Sequence, residues 1–346
     1  MSRIAVVTSS PPFVEGGHLV IARSLVEALQ AAGHEAALVV TPQNRFGRQA
    51  SAYLATWLTD LGQASDGPID QVISLRYPSY AVRHPRHVCW LNHTMREYYD
   101  QWPRFSAALS WRAGVKEQVR RQLIHAADGY LLRRNVTRLF VQSETIKRRV
   151  DRWLKAPAEV LYPPPPQRPY RCDGYGDDIF AVSRLTPLKR LELVVRALAL
   201  PAAAGVRCVI AGEGEEASRL QALVGALGLE RRVQLIGRVD DTALLDHLAR
   251  CRAVCFPPFD EDYGFVTVEA FASRKAVVTC RDSGGPAELV EDGRSGFVCE
   301  PTPEAIADAL GALAGDRALA ERMGQAAAAR VADLTWERAV RALVLV

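Results

Sequence analysis

Two glutamates, Glu261 and Glu269, stand eight residues apart in FPPFDEDYGFVTVEAF, residues 256–271. The prolines and Gly264 predict an irregular loop after a strand, and the apolar periodicity that follows predicts a helix. Free amides at the start of that helix can bind an anion such as a diphosphate. Glu269, inside the helix, can accept hydrogen bonds from two adjacent hydroxyls, and Glu261 can reach a polyol beyond the helix end.

Two basic residues stand near another strand end. Arg184 directly follows the apolar run at residues 179–183, and Lys189 lies where the next helix is predicted to start. Guanidinium and ammonium groups there can bind a diphosphate and stabilise the negative charge that develops as it leaves. Taken singly, exposed glutamates and a basic helix start are also typical of a solvated surface.

Two glycine-containing loops follow strands. Residues 11–17, PPFVEGG, contain Gly16 and Gly17, and residues 283–290, SGGPAELV, lead into a short helix. Glycine allows the backbone to approach a bulky ligand closely. The first loop does not match the dinucleotide fingerprint G-x-G-x-x-G. Each loop by itself is also typical of an ordinary turn.

Apolar runs of strand length alternate with helical periodicity along the whole chain. The predicted strands cover residues 3–8, 35–40, 71–75, 87–91, 139–142, 179–183, 207–211, 233–236, 254–256, 276–280 and 297–298. The longest helix is predicted over residues 111–132, and a basic helix capped by Ser143 follows at residues 143–153. This alternation predicts parallel sheets with helices on both faces.

A proline-rich stretch divides this alternation into two halves. Residues 162–169, YPPPPQRP, can continue neither a helix nor a central strand. A chain of 346 residues also exceeds the length that one hydrophobic core normally serves. We therefore predict domains at residues 1–162 and 177–332 with a linker at 163–176. Each domain is predicted to be a doubly wound, Rossmann-like sheet, with ligands at the carboxyl ends of its strands.

The amino-acid composition and net charge exclude some classes of protein. With 49% hydrophobic and 24% charged residues the chain is globular, and a net charge of +4 is too small for a dedicated nucleic-acid binder. Residues 1–170 contain 22 basic and 13 acidic residues, which indicates either a solvated charged face or contact with an anionic partner. Seven cysteines without metal-ligand spacing, and no run of 18 apolar residues, predict a reduced, cytoplasmic protein.

In order and spacing, the glutamate pair, the basic pair and the two glycine loops together resemble the retaining glycosyltransferases of family 4. The resemblance covers nearly the whole chain, and its most specific part is the E-x7-E arrangement at the start of residues 261–298. It implies the α/β GT-B fold, in which two Rossmann-like, doubly wound domains face each other across a cleft. The first domain would bind the acceptor and the second the nucleotide sugar. Residues 333–346, which include Trp336, are similar to the family's terminal helix, which packs toward the first domain.

The resemblance also implies a role for each matching side chain. Arg184 and Lys189 would bind the donor diphosphate, Glu269 the ribose and Glu261 the sugar. The residues whose main chain would contact the donor are Gly264, Phe265 and Val266 at the sugar and the distal phosphate, Arg238 and Val239 at the base, and Gly16 and Gly17 at the diphosphate and the acceptor side.

His93 lies in CWLNHTMREYYDQW, residues 89–102, just beyond a predicted strand. This segment is similar to the His-Thr-Pro-Met-Arg stretch of several mannosyltransferases of the family, in which the histidine lies near the donor sugar and the reaction centre. We therefore predict a catalytic role for His93 beside Glu261. The proline is absent here, which weakens the indication of a mannosyl donor. A single histidine at a strand end is also typical of a structural residue.

The triplet Asp260-Glu261-Asp262 allows a rival interpretation. It matches the D-x-D pattern that holds a divalent metal in the other large glycosyltransferase fold, and oxygen ligands suit Mg²⁺ or Mn²⁺. Against this, Arg184, Lys189 and a helix N-terminus already supply positive charge, and the family that the chain resembles is metal-independent. We predict that no metal and no cofactor is required.

The predicted function is transfer of a hexosyl residue, with retention, from GDP-mannose or otherwise from a UDP-sugar. The acceptor would be a hydroxyl of a glycan, a lipid-linked glycan or a small molecule. A non-catalytic sugar-nucleotide-binding protein, and an epimerase or phosphorylase of the same fold, are the alternatives.

The basic helix suggests one more partner. Its cations could contact anionic lipid headgroups at the inner face of the membrane, although a solvated helix has the same pattern. The residues concerned are Lys147, Arg148, Arg149, Arg152 and Lys155, with Trp153 beside them.

Overall fold

The computed structural model describes residues 1–13, 16–43, 47–65 and 67–345. They form two compact units: an N-terminal unit of Met1–Pro166 with Leu334–Val346, and a C-terminal unit of Gln167–Asp333.

The N-terminal unit is built on a six-stranded parallel sheet with the strand order β2-β1-β5-β6-β7-β8; β3 and β4 form a separate antiparallel pair. Its strands are β1 (Arg3–Ser10), β2 (Glu35–Pro42), β3 (Gln63–Ala64), β4 (Gly67–Pro68), β5 (Gln71–Ser74), β6 (His87–Leu91), β7 (Arg138–Val141) and β8 (Glu159–Val160). Its first helices are α1 (Gly17–Ala31), α2 (Gln49–Trp57), α3 (Trp102–Ala107), α4 (Trp111–Arg134) and α5 (Glu144–Trp153). Every residue of β5 and β6 is buried, as expected for a sheet covered on both faces.

The C-terminal unit contains a second six-stranded parallel sheet, with the order β11-β10-β9-β12-β13-β14. Its strands are β9 (Asp178–Val182), β10 (Arg207–Ala211), β11 (Val233–Gly237), β12 (Ala253–Cys255), β13 (Val277–Cys280) and β14 (Gly296–Cys299). Its helices are α6 (Leu191–Leu198), α7 (Ala217–Ala226), α8 (Asp241–Arg250), α9 (Phe265–Ala272), α10 (Gly285–Leu289), α11 (Pro303–Gly315) and α12 (Arg317–Val331). The prediction of two Rossmann-like α/β halves with parallel sheets is confirmed.

The last helix, α13 (Trp336–Leu343), belongs to the N-terminal unit. The Trp336 indole donates a hydrogen bond to the Pro165 carbonyl at 3.1 Å, and its ring packs edge-on against Trp90. The Gln71 amide at the start of β5 donates to the Leu343 carbonyl at 2.6 Å. These bonds connect the end of the chain to the strands of this unit. In the described part of the chain, no helix is long and apolar enough to cross a membrane.

A fully buried carboxylate, Asp128 on α4, lies in the core of the N-terminal unit. Three tyrosine hydroxyls donate to it: those of Tyr53 on α2, Tyr80 at 2.6 Å and Tyr99 at 2.7 Å. Burial raises the pKa of Asp128 to about 6, and the three hydrogen bonds act in the opposite direction. The cluster connects α4 to three segments that are distant from it in sequence.

Candidate functional site

The strand order of the C-terminal sheet reverses at β9, which lies between β10 and β12. In doubly wound sheets, ligands bind outside the carboxyl ends of the strands at such a reversal. Lys189 lies on the connection after β9, and Glu261 lies on the connection after β12. The chain therefore brings a cation and a carboxylate to the place where this class of sheet binds ligands.

Lys189 and Glu261 contact each other directly. Lys189 ends a 3₁₀ turn, Pro187–Lys189, and its Nζ lies 2.6 Å from Glu261 Oε2. The two side chains are 19% and 23% exposed, so the pair is accessible from solvent. Nζ also lies 5.4 Å from the centre of the Phe256 ring. Lys189 was predicted to bind the diphosphate and Glu261 to bind the sugar, and here the two side chains form one ion pair.

The second glycine loop positions the main chain of Glu261. The Glu261 amide donates to the Ser283 carbonyl, and the Gly285 amide donates to the Glu261 carbonyl, both at 2.9 Å. Gly284 has φ +70°, and a Cβ there would lie 2.4 Å from the Glu261 oxygen. Any larger residue would displace Glu261, so this glycine is needed for a close approach of two backbones rather than for an isolated turn.

Arg190 fastens the same two connections and was missed in the sequence analysis. Its guanidinium forms two hydrogen bonds with the Asp282 carboxylate, at 2.6 and 2.7 Å, and donates to the carbonyls of Pro257 and Pro258. The available signal was a charged residue on each of the connections that follow β9 and β13, the two strands that flank β12 in the sheet. Bidentate pairing of this kind is specific in geometry, so Arg190 positions the loop that carries Glu261.

Glu269 lies on α9, 6% exposed, among partners that were not anticipated. Arg168 and Tyr170 both donate to its Oε1, and Arg168 also donates to Asp241 at 2.8 Å. Burial raises the pKa of Glu269, and the positive charge of Arg168 opposes the rise. Arg168 and Tyr170 fall within residues 163–176, which were predicted to be a linker, and they are part of the C-terminal unit.

Helix α9 begins without a side-chain cap. Gly264, with φ +82°, precedes Phe265, and a Cβ at Gly264 would lie 2.7 Å from Pro286 Cγ. The first amides of any helix lack partners within it, and here these are the amides of Phe265 and Val266. The arrangement suits an anion, because the helix dipole adds positive potential at this end.

The remaining predicted residues of the C-terminal unit lie after neighbouring strands. Arg184 is exposed two residues beyond β9, and Arg238 and Val239 directly follow β11. Within the described ranges, none of the three forms a hydrogen bond or ion pair with Lys189 or with either glutamate. Nor do any three His, Cys, Asp or Glu side chains of those ranges gather as a metal site would require.

Three predicted residues belong to the N-terminal unit. Gly16 is extended and immediately precedes α1, which starts at Gly17; Val14 and Glu15 of the same predicted loop lie outside the described residues. His93 follows β6, and its Nδ1 donates to the Thr94 carbonyl at 2.6 Å. His93 lines a narrow cavity together with the arginines Arg96 and Arg149.

The contact between Arg168 and Glu269 predicts a pH-dependent change in stability. Replacing Arg168 with alanine leaves a buried carboxylate without its cation, so the pKa of Glu269 rises further. At pH values between the ordinary pKa of a glutamate and this raised pKa, Glu269 keeps a proton in the folded state that it has lost in the unfolded state. The stability of the variant therefore falls as pH increases through this range. We expect a loss of about 3 kcal/mol at pH 8 and a smaller loss at pH 5.

Calorimetric unfolding at the two pH values measures this effect. The matched control is Arg171→Ala, since Arg171 forms solvent-exposed ion pairs with Asp173 and Asp246 in the same unit. The control should change stability little at either pH. Equal losses in Arg168→Ala at pH 5 and pH 8 would contradict the prediction.

The C-terminal unit matches a known protein family along most of its length. Residues 173–330 match the family model of the glycosyl transferases group 1. The segment runs from before β9 to the last turn of α12 and therefore contains Lys189, Glu261 and Glu269.

Two curated relatives match about half of the chain. An exopolysaccharide phosphotransferase of Streptomyces coelicolor is 33% identical over 180 residues, which is 49% of this chain and 19% of that protein. An alpha-D-kanosaminyltransferase of Streptomyces kanamyceticus is 34% identical over 164 residues, which is 45% of this chain and 42% of that protein. The chain thus matches less than half of the length of either relative.

Two solved structures match over nearly the full length of the chain. Sucrose-phosphate synthase of Thermosynechococcus elongatus superposes with a TM-score of 0.76 at 18% identity, covering 99% of this chain and 97% of that one. HepE of Anabaena, in complex with UDP and glucose, superposes with a TM-score of 0.66 at 17% identity, covering 98% of each chain. At such identities the likeness concerns the fold, and it confirms the GT-B fold class.

Proposed function

We propose that the protein is a retaining glycosyltransferase that moves a hexosyl residue from a nucleotide-diphosphate sugar to an acceptor hydroxyl. One observation carries the proposal: Lys189 and Glu261 meet at the reversal point of a sheet whose sequence matches the glycosyl transferases group 1. The match supports the reaction class, and the pair supplies a cation and an acceptor of hydroxyl hydrogens in one place.

In the proposed complex, Lys189 leaves its ion pair with Glu261 and binds the donor diphosphate instead. Lys189 and Arg184 then bind phosphate oxygens, and the amides of Phe265 and Val266 at the start of α9 contact the distal phosphate and the sugar. Main-chain groups of Gly264 lie beside them. Glu261, relieved of its cation, accepts hydrogen bonds from sugar hydroxyls. In the unliganded protein the ion pair holds the two groups close to their proposed positions.

Glu269 is proposed to bind the ribose. The hydrogen bonds from Arg168 and Tyr170 both reach Oε1, so Oε2 is the oxygen available for a ribose hydroxyl. The positive charge of Arg168 favours the ionised carboxylate, which is the better acceptor. The main chain of Arg238 and Val239 would border the base, and Gly16 and Gly17 would line the diphosphate and the acceptor side.

The proposed transfer balances without a covalent enzyme intermediate. The bond between the sugar C1 and the diphosphate oxygen breaks, the acceptor oxygen bonds to C1 from the same face, and the acceptor proton passes to the departing diphosphate. His93 is proposed to orient the sugar near the reaction centre. Lys189 and the N-terminus of α9 would stabilise the charge of the leaving group, so we propose that no metal is required.

The donor is proposed to be GDP-mannose, with a UDP-sugar as the second candidate. The segment around His93 favours mannose, whereas HepE, which has the same fold, binds UDP and glucose. The acceptor would be a glycan, a lipid-linked glycan or a small molecule. A non-catalytic sugar-nucleotide-binding protein would satisfy the same donor contacts, so binding and transfer need separate measurements.

A metal-free thermal-shift panel with GDP, UDP, ADP and dTDP and their sugars tests the donor site. A ligand at about 100 times its Kd stabilises by roughly 2.7 kcal/mol, which for a unit of this size raises the melting temperature by about 5–10 °C. We expect a selective shift with one nucleotide. A dye must report it, since all six tryptophans belong to the N-terminal unit.

Variants separate the outcomes of the panel. Glu269→Gln should abolish the shift, whereas Glu304→Gln, at an exposed position in the first turn of α11, should preserve it. A folded protein that shifts with no nucleotide would overturn the proposal. A selective shift without donor consumption in the presence of glycan, lipid-linked and small-molecule acceptors would favour the non-catalytic alternative.

A further inference from the structure

Helix α4 presents an apolar face to solvent. The helix has 24 residues and is therefore about 36 Å long. Its large exposed apolar residues are Trp111 (76%), Val115 (60%), Val119 (54%), Leu123 (66%) and Tyr130 (64%). The first four recur every fourth residue and so lie along one side of the helix. An exposed apolar surface of this extent is typical of an interaction site.

The exposed charged residues of α4 are all basic. They are Arg112, Lys116, Arg133 and Arg134. Its two acidic residues, Glu117 and Asp128, are buried and accept hydrogen bonds from tyrosine hydroxyls. The exposed face of α4 therefore combines apolar side chains with positive charge and has no exposed acidic residue.

We infer that the exposed face of α4 docks on the surface of a bilayer that contains anionic lipids. Apolar side chains enter the boundary between headgroups and acyl chains, and cations beside them attract anionic headgroups. Trp111 and Tyr130 have an apolar body and a polar group, which suits the membrane interface. This inference is independent of the proposed transferase activity.

A second copy of the chain fits this face less well. In a symmetric dimer the same patch is present on both partners, so the four cations of one copy would approach those of the other. Like charges at short distance oppose such pairing. An anionic lipid surface supplies the complementary charge along the whole face.

The inferred contact lies on α4, whereas the prediction from the sequence placed it on α5. On α5, Arg149 is only 14% exposed and lies beside Asp100, and Trp153 packs against Tyr99 in the core of the unit. The exposed side of α5 also includes the acidic residues Glu144 and Asp151. Its surface is therefore of mixed charge, and its tryptophan is not fully available to lipid.

Co-sedimentation of the full chain with vesicles tests the inference. We expect binding to vesicles of phosphatidylcholine with phosphatidylglycerol, and much weaker binding to phosphatidylcholine alone. The double variant Val119→Glu/Leu123→Glu should lower the partition coefficient at least about tenfold, because it places carboxylates on the docking face. The matched control is Leu227→Glu, at an exposed leucine of the C-terminal unit, and should bind as the unaltered chain does.

Charge gives the second arm of the test. The variant Arg112→Gln/Lys116→Gln should weaken binding roughly fivefold per charge, and added salt should weaken the binding of the unaltered chain. Equal binding by all variants, or no binding to anionic vesicles by a folded chain, would overturn the inference. The inference would also be overturned if the chain bound no lipid but self-associated in sedimentation velocity, and Val119→Glu/Leu123→Glu abolished that self-association. The exposed face of α4 would then be an interface with a second copy of the chain.

Discussion

The variant Lys189→Ala should transfer sugar about 100 to 1,000 times more slowly than the unaltered protein. Lys189 is the cation that meets Glu261 at the reversal point of the C-terminal sheet, 2.6 Å from its carboxylate. In the proposed reaction it stabilises the charge on the departing diphosphate, and removal of one such group typically costs this factor in kcat. Release of nucleoside diphosphate at saturating donor measures the effect.

Two further variants show whether charge at this position matters. Lys189→Arg keeps a cation and should retain more activity than Lys189→Ala, although its fork has a different geometry. Arg281→Ala removes an exposed cation that pairs with Glu300 in the same unit, and should leave kcat unchanged. If Lys189→Ala retained activity within about threefold, the diphosphate would have to bind elsewhere.

The variant Asp128→Ala should lower the free energy of unfolding of the N-terminal unit by about 3–5 kcal/mol. The hydroxyls of Tyr53, Tyr80 and Tyr99 would lose their common acceptor in a buried site. Each buried polar group left without a partner costs roughly 1–3 kcal/mol, and the lost side chain leaves a small cavity. Tryptophan fluorescence during denaturation reports this unit selectively, because it contains all six tryptophans.

The matched control is Asp151→Ala, which removes an exposed carboxylate on α5. It isolates the effect of burial and should change the free energy of unfolding by less than about 0.5 kcal/mol.

The pH dependence of stability supplies a second check. Because burial raises the pKa of Asp128 to about 6, the folded state keeps a proton that the unfolded state loses above about pH 4. The contribution of Asp128 to stability therefore falls between about pH 4 and pH 6. Asp128→Asn should lack this slope, and an unchanged slope would contradict the assignment.

Much of the fold follows from local patterns in the sequence. Apolar runs at residues 179–183 and 207–211 correspond to β9 and β10, and the long helix expected at residues 111–132 is α4. Ser143 caps α5, as expected, by accepting a hydrogen bond from the Ile146 amide. Such features depend on neighbours within a few residues, so periodicity and capping preferences are sufficient to predict them.

Only part of the candidate site could be predicted from such local patterns. Chain order brings Lys189 and Glu261 to the ends of β9 and β12, but their contact requires the sheet to place these strands side by side. The partners of Glu269 come from Arg168 and Tyr170, about a hundred residues earlier in the chain. Nothing in the spacing of a proline-rich segment indicates that contact.

By itself, the sequence determined the alternation of strands and helices, the two halves and the candidate side chains at the strand ends. The tertiary structure alone decided which charges neutralise each other, which carboxylates are buried, and which face of α4 remains exposed. The physical reason is that secondary structure depends on neighbours along the chain, whereas pairing, burial and exposure depend on segments that meet only after folding.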